Sequence, residues 1–440
     1  MRLHFAHRWL AVRASFWFVP GLMVLGAALL AGIALTIDSA IAGSDMPPWI
    51  YAGGADGARA LLSTVAGSMV TVAGVGFSVT IVALVLASTQ FGPRLLTVFM
   101  RDLTSQVTLG SFTSTFTYCV LVLRTVTGTA DQANPFVPQL AITIAIVMTL
   151  LSIAALVYFF HHVAVSIQAP KVVSAVARDL NHGIERLYPH RIGQPGPEPE
   201  PEAIPQPMTD AVITAEASGY VQVVDDERLL QLARDHDLVV RLMTRPGLFV
   251  VDGHPVIVAR PASRISRPVA AALHDTIIVG DVRTAEDDIE FSIRQLVEVA
   301  LRALSPAIND PFTAMAAIDW LGAALARLAR EQFPSRYRYD EDGRLRVVAD
   351  VSTFGGVTHT IFSRIRHYGG SSPVVLNRLL ESIVAFGPHV SDEADRQLVR
   401  DEMEAVLQTG RTEISSEADL RELERRHRAA LAALGEVVAD

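Results

Sequence analysis

Hydrophobic and polar positions change their pattern sharply near residue 170. Before it they form long uncharged runs; after it they alternate on the short periods of soluble helices and strands. A helix needs about 20 apolar residues to cross the hydrocarbon core of a bilayer. Four stretches reach that length: Ser15 to Ile37, a second inside Ala60 to Pro93, Gln106 to about Thr127, and Pro138 to Phe160. Basic residues precede the first and Ala40-Ile41-Ala42 follows it, which is also the layout of a cleaved signal peptide. Its apolar run exceeds the roughly 7–15 residues of a signal core, so it is expected to stay as an anchor. Trp9, Trp17, Trp49, Tyr51, Tyr118 and Tyr158 fall at or near the segment ends, where interfacial aromatics collect.

Orientation follows from the basic residues of the short loops. Arg2, Arg8 and Arg13 precede the first segment, Arg94 and Arg101 lie between the second and third, and Lys171 and Arg178 follow the fourth. The alternate loops carry Arg59 with Asp38, Asp45 and Asp56, and then Asp131 alone. Both termini are therefore expected in the cytoplasm, with Arg124 near the outer interface, where a long side chain reaches water.

The second segment combines hydroxyls with glycine. Thr64, Ser68, Thr71 and Ser78 share one helical face, with Gly67, Gly74 and Gly76 close by. Small and hydroxyl residues let helices pack closely in lipid, each hydroxyl bonding a nearby carbonyl. The same stripe, repeated by copies of the helix around an axis, would line a hydrated path. The two readings stay open here. His161 and His162 are expected just after the fourth segment; adjacent histidines diverge on a helix, so they are pH-sensing candidates and not a metal pair.

The later pattern changes in character. Lys171 to Tyr188 reads as a helix, followed by seven prolines between Pro189 and Pro207, which predict an extended or disordered spacer. From about Ala211 to Ala259, short β-branched runs are punctuated by Pro246-Gly247 and Asp252-Gly253, with DDERLLQLARDH as a helical insert. Their order resembles the barrel-sandwich module of biotinyl and lipoyl carriers. After Asp275, Ile289, Ile293, Leu296, Val297, Ala300, Leu301 and Leu304 make an apolar helix face, and Arg294, Glu298 and Arg302 an ion-pair ladder. Asp310-Pro311 starts a second helix, to about Glu331. A hairpin is expected over Arg336 to Ser352, then helices over Gly356–Tyr368, Pro373–Phe386, Asp392–Gln408 and Ala418–Leu434.

Composition narrows the chemistry. Up to Pro170 there are 7 basic and 5 acidic residues, leaving 30 and 41 for the rest, so the later region carries a net −11. So acidic a surface argues against nucleic acid. The only cysteine, Cys119, lies in an apolar segment, excluding a disulfide framework or thiolate zinc site within one chain. The only lysine, Lys171, follows no glycine loop, which removes a Walker-type phosphate site and the carrier role of a biotinyl module. No HExxH, GxSxG or dinucleotide fingerprint occurs, so neither an enzyme nor a cofactor or metal site is expected. A ligand or ion site is the competing reading of Arg283, Asp287, Asp288, Arg294, Gln295, Glu298, Asn309 and Asp310, against helix capping and ion pairing.

The chain carries three distinctive stretches, GSMVTVAGVGFSVTIVALVLASTQFGPRLL (Gly67–Leu96), FFHHVAVSIQ (Phe159–Gln168) and RTAEDDIEFSIRQLVEVALRALSPAINDPFTA (Arg283–Ala314). Together they resemble bacterial predicted membrane proteins of domain-of-unknown-function family 2254. The resemblance implies a multi-pass N-terminal region and a soluble C-terminal half, and it brings no activity.

The fold class expected is membrane α-helical, with four transmembrane helices, plus a cytoplasmic α+β region that has a small barrel-sandwich-like β module and a helical C-terminal part. The divisions expected are 1–170 membrane, 171–208 helix and linker, 209–262 β module and 263–440 helical. The functional expectation is a homo-oligomeric ion channel of the bacterial cytoplasmic (inner) membrane, with a cytoplasmic gating or assembly domain. Its partners are the lipid bilayer, ions and further copies of itself. The alternative is a membrane-anchored sensor or scaffold whose soluble half binds a ligand or protein.

Overall fold

The structure, a computed structural model, describes residues 15–41, 47, 49–92, 102–128, 136–188, 194–195, 197–284, 288–331 and 333–435. It separates into two compact units, Met1–Val172 and Val173–Asp440.

The first unit holds α1 (Phe18–Ile41), α2 (Ala55–Phe91), α3 (Leu103–Leu123) and α4 (Gln139–Ser166), each long and apolar enough to cross a membrane. They start and stop close to the predicted segments, with two physical differences. Asp38 was expected in a loop, but α1 continues through it; Asp38 is buried and accepts from Leu140 N and Ala141 N, both at 2.9 Å. It thereby satisfies the free amides that begin α4. His161 and His162 were expected beyond the fourth helix, yet α4 runs on to Ser166 and contains both.

The least apolar helix holds the centre. α3 is the least apolar of the four, yet more than half of it is buried, against less than a quarter of each of the others. Its hydroxyls find partners inside the unit: Thr115 Oγ1 lies 3.0 Å from Ser152 Oγ, and Tyr118 donates to Ala141 O at 3.0 Å. Without water, each such group needs a partner within the protein. Small residues let the other helices approach. A side chain at Gly110 would meet Pro20 Cα of α1 at 3.2 Å, and one at Gly76 would meet Leu109 and Phe112 of α3. Ala27, Ala31 and Ala34 of α1, and Ala141 and Ala145 of α4, complete an alanine-rich core.

The second unit begins within an amphipathic helix, α5 (Ala169–Leu187), which buries Val173, Val176, Ala177, Leu180 and Ile184. Strands follow in the order β1 (Gln194–Pro195), β2 (Ala211–Thr214), β3 (Gly219–Val224), β4 (Val239–Leu242), β5 (Phe249–Val250), β6 (Pro255–Arg260) and β7 (Ile277–Gly280). Helices α6 (Asp226–Asp235) and α7 (Arg267–His274) interrupt them. The expected hairpin forms as β8 (Tyr337–Tyr339) and β9 (Leu345–Val348).

Strand pairing departs from a self-contained barrel-sandwich. One sheet runs β1-β8-β9-β4-β6-β2 and a second β5-β3-β7. The strands of 211–260 are thus divided between two sheets. β4 is completed by a parallel partner, β9, with Val240 opposite Val347, and β3 by β7. Nor is the proline-rich stretch a free spacer where it is described. Gln194 and Pro195 pair with β8, Tyr339 donates to Pro197 O at 2.7 Å, Arg241 to Pro205 O at 3.3 Å, and Arg260 to Glu202 O. Proline lacks an amide donor, so this edge is held largely by side chains donating to its carbonyls.

The helical part comprises α8 (Ile289–Ala303), α9 (Pro311–Leu328), α10 (Phe354–Gly369), α11 (Pro373–Phe386), α12 (Glu393–Glu413) and α13 (Glu417–Ala433). Phe386 stands edge-on to both Phe354 and Phe362 in its core, at 6.0 and 6.3 Å.

Candidate functional site

Thr64, Ser68, Thr71 and Ser78 all lie on the exposed side of α2. The side that packs inward carries Leu62, Ala66, Met69, Gly76, Thr80 and Ala83 instead. Among the described residues, the hydroxyls therefore do not serve packing. Ser68, Thr71 and Ser78 each donate to the carbonyl four residues earlier, on Thr64, Gly67 and Gly74. Such back-bonding leaves oxygen lone pairs directed outward. The free faces of the neighbours are different: α1 presents Leu22, Leu25, Leu29 and Ile33, and α4 presents Leu150, Leu151 and Val157.

The two histidines separate. His162 Nε2 lies 3.0 Å from Asp102 Oδ2, and its ring stacks on Tyr158; His161 is exposed. Asp102 is the N-cap of α3, accepting from Ser105 N at 3.1 Å and Ser105 Oγ at 2.6 Å. The His162–Asp102 contact thus ties α4 to the start of α3.

In the second unit the described candidates lie along α8 and just beyond its two ends. Arg283, Asp288 and Arg294 gather at its start. Arg283 Nε bonds Asp288 Oδ2, and Asp288 Oδ1 accepts from Phe291 N as the N-cap. The hub is Glu290, which the sequence reading did not single out. Its carboxylate lies 2.8 Å from Arg245, 3.1 Å from Arg294 and 4.0 Å from Arg283, and accepts from Ser352 Oγ at 2.9 Å. Arg245 also donates to Ser352 Oγ at 3.0 Å. Burial pushes Glu290 up, but Arg245, Ser352 and Arg294 outweigh it and hold the carboxyl below its ordinary value. For Asp288 burial wins over Arg283, and its pKa is raised. Burial also lowers the pKa of Arg294 and raises that of Tyr188, which faces Glu290. Glu290 was legible only through its spacing of four from Arg294; Arg245 and Ser352, 107 positions apart, leave no local signal.

Asn309 and Asp310 sit at the far end of α8, and Asp287 lies outside the described residues. Asn309 adopts a left-handed φ of 49°. Asp310 caps α9, accepting from Thr313 N at 3.1 Å and Thr313 Oγ1 at 2.5 Å. Glu298 pairs with Arg302 at 3.5 Å, as the ladder predicts, and Arg294 pairs with Glu290 at 3.1 Å. Gln295 is buried within α8. The candidates thus resolve into two local structures, a buried ionic junction and a helix cap. Among the described residues, no three His, Cys, Asp or Glu side chains are placed to hold a metal ion.

Four long apolar helices in one unit and a charged α/β unit after them define a multi-pass membrane protein with a large polar domain. The chain belongs to the family described as predicted membrane protein (DUF2254), whose model matches residues 13–385. It is 32% identical over 417 residues to an uncharacterized protein of Mycobacterium bovis, covering 93% of this chain and 78% of that one. An uncharacterized protein of Mycobacterium tuberculosis matches with the same identity and coverage. No solved structure matches the chain significantly.

Proposed function

We propose that the chain is the subunit of a homo-oligomeric, ion-conducting protein of the bacterial cytoplasmic membrane, with both termini cytoplasmic and α2 lining the path. The observation that carries this is the contrast between free helix faces. α1 and α4 present mainly leucine, isoleucine and valine, as lipid requires, whereas α2 sets Thr64, Ser68, Thr71 and Ser78, with Gly67 and Gly74, among its exposed Val70, Val75, Phe77 and Ile81. A hydroxyl-bearing face turned to lipid gains nothing; turned to a shared axis, it supplies oxygen ligands to a hydrated ion. The net −11 of the chain after residue 170 would concentrate cations at the mouth.

The test has two stages. The subunit number of the intact protein in nanodiscs, from mass and particle symmetry, comes first, and a ring of three or more is expected. Conductance of the reconstituted protein is then compared with that of Ser68→Leu and Thr71→Leu, which are expected to abolish it. A monomer, or currents indifferent to both substitutions, overturns the reading.

A sensor or scaffold role is favoured by one feature of the soluble unit. Glu402 is buried with Oε1 2.5 Å from His359 Nδ1, while Oε2 has no partner among the described residues. A ligand or protein donor reaching Oε2 would complete that carboxylate. This reading predicts a thermal shift of the full chain with a specific ligand, lost in Glu402→Gln.

A further inference from the structure

One stripe of α3 is polar from end to end, and it lies inside the bundle. Thr104, Thr108, Ser111, Thr115 and Tyr118 follow one another at steps of four and three, and each is buried or half-buried. The stripe spans about 21 Å at 1.5 Å per residue, most of the roughly 30 Å hydrocarbon core. α4 packs against it. Ser152 Oγ lies 3.0 Å from Thr115 Oγ1 and 3.4 Å from Ser111 O, and Tyr118 donates to Ala141 O at 3.0 Å. Single hydroxyl pairs of this kind are ordinary helix contacts. Packing does not require an ionisable group at each end of them. At the start of α3, Asp102 Oδ2 lies 2.6 Å from Ser105 Oγ and 3.0 Å from His162 Nε2. At the other end, buried Asp38 accepts from Ala141 N, the residue whose carbonyl takes the Tyr118 hydroxyl. Successive spans cross in opposite directions, so Asp102 with His162 and Asp38 with Tyr118 stand on opposite sides of the bilayer. Ionisable groups facing the interior of a membrane bundle are rare and mark proton relays.

We propose that α3 and α4 of a single chain form a proton path across the membrane, with Asp38 at one end and the Asp102–His162 pair at the other. A carboxylate at one end takes a proton from water, and the hydroxyls relay it, each accepting one proton and giving up another. One proton leaves to water at the far end. No other bond changes, and a proton gradient or membrane potential is the only drive required. Hydroxyls suit the task because each donates and accepts at once. From Ser105 to Ser111, and from Thr115 to Tyr118, successive groups of the stripe stand about one helical turn apart, about 5 Å, which one water molecule bridges. Buried Phe112, Cys119 and Phe159 fill the bundle beside the stripe, so protons and not hydrated ions can follow it. The path lies within one chain, so it goes beyond the conducting role of α2 and does not depend on it.

The test uses the full-length protein in liposomes that enclose a pH-sensitive dye, with a potassium–valinomycin potential as the drive. Wild type is expected to carry protons faster than protein-free vesicles. Thr115→Val combined with Ser152→Ala is expected to remove most of that flux. Both partners of one buried hydrogen bond are lost together, so neither is left unsatisfied and the fold should stand. Asp38→Asn, which keeps one acceptor for the amides of α4, is expected to remove most of the flux as well. Leu151→Ala, on the exposed side of α4, is expected to leave it unchanged. Each variant is compared as monodisperse protein, and either the double variant or Asp38→Asn is enough to decide. Wild-type flux no faster than that of protein-free vesicles overturns the path. Flux that survives both the double variant and Asp38→Asn overturns it too. Flux abolished by Ser68→Leu but kept in the double variant would route the protons along α2, overturning the α3 path and leaving the conducting reading standing.

Discussion

Arg245 Nη2 lies 2.8 Å from Glu290 Oε1, so a residue just beyond β4 and one in the first turn of α8 share a buried charge pair. The pair joins the sheet region to the helical part of the soluble unit, and Ser352, which bonds both residues, brings in the approach to α10. Removing Glu290 takes the nearest carboxylate from Arg245 and Arg294, although Arg245 keeps Asp350 at 3.5 Å and Arg283 keeps Asp288. Breaking a buried pair on one side costs about 3–5 kcal/mol. Glu290→Ala is therefore expected to lower stability by that order, measured by denaturation of the intact protein in detergent, and Glu290→Gln by less. Equal stability of wild type and Glu290→Ala would contradict the assignment of Glu290 as the hub.

The same carboxylate makes a pH prediction with a definite sign. Glu290 is held below its ordinary value of 4.5 by Arg245, Ser352 and Arg294 against its burial. A depressed folded pKa contributes stability that is present above the unfolded value and lost as pH falls through the folded one. The stability gap between wild type and Glu290→Gln should therefore be full at neutral pH and narrow below pH 4.5. Asp288, whose pKa burial raises, acts oppositely: it takes up its proton at higher pH than in the unfolded chain, which favours the fold on acidification. Asp288→Asn should lose that early gain, visible as a steeper loss of stability on mild acidification.

Gly247 can be separated into backbone and packing effects. It has φ 85°, and a methyl group there would strike the Asp288 carboxylate and come within 2.6 Å of Arg283 Nη2. Gly253 has a similar φ of 78° but opens onto free space. Forcing a side chain into the left-handed region costs roughly 1–2 kcal/mol. Gly253→Ala should show that penalty alone, and Gly247→Ala distinctly more, because the Arg283–Asp288 pair must shift as well. Matching losses in the two variants, read from the same denaturation curves, would remove the packing argument.

Much of the membrane unit was legible because uncharged runs of helical length admit few other structures. What escaped was position within the bundle. α3 reads as the weakest span, with Ser105, Thr108, Ser114 and Thr115 in it. Those hydroxyls are tolerable because protein encloses them, and enclosure is a property of packing that no local pattern records. Asp38 was misplaced for a related reason, since a carboxylate near a helix end looks like loop until its acceptors meet the amides of α4. In the soluble unit, the β8–β9 hairpin was visible from its turn, but the parallel match of β4 with β9 depends on chain folding between Leu242 and Leu345. The ionic junction was half legible: Arg283, Asp288 and Arg294 lie within one short stretch, whereas Arg245 and Ser352 arrive from elsewhere.

Asp310 offers a decision between ligand site and cap. Both of its oxygens are used by Thr313, and Asn309 before it takes the left-handed turn that brings Asp310 N to Ala303 O at 2.7 Å. These contacts account for the carboxylate without a ligand. Asp310→Ala should cost about 0.5–2 kcal/mol, while Asp310→Asn, an equally good capping residue, should cost far less. A ligand-binding carboxylate would respond differently, with Asn failing to restore function even where stability returned. Recovery of wild-type behaviour by Asn would fix Asp310 as helix punctuation.

Asp38 is the sharpest case, since its environment gives the carboxylate little other support. It is 4% exposed and receives two backbone amides at 2.9 Å, from Leu140 and Ala141 at the start of α4. Those amides have no partner within the helix, and the positive end of the helix dipole adds to the attraction. Asp38→Asn keeps an acceptor oxygen but removes the charge and one of the two acceptors. Asp38→Ala removes everything and leaves both amides unsatisfied in a buried position, where each costs about 1–3 kcal/mol. The order of stability expected is wild type, then Asn, then Ala, read from thermal inactivation of the monodisperse protein in detergent. Asp38→Ala should also loosen the α1–α4 contact, so that cysteines introduced at Leu35 and Ile144 react faster with a water-soluble maleimide. Unchanged stability and unchanged labelling in Asp38→Ala would mean that the cap does not hold α4 in place.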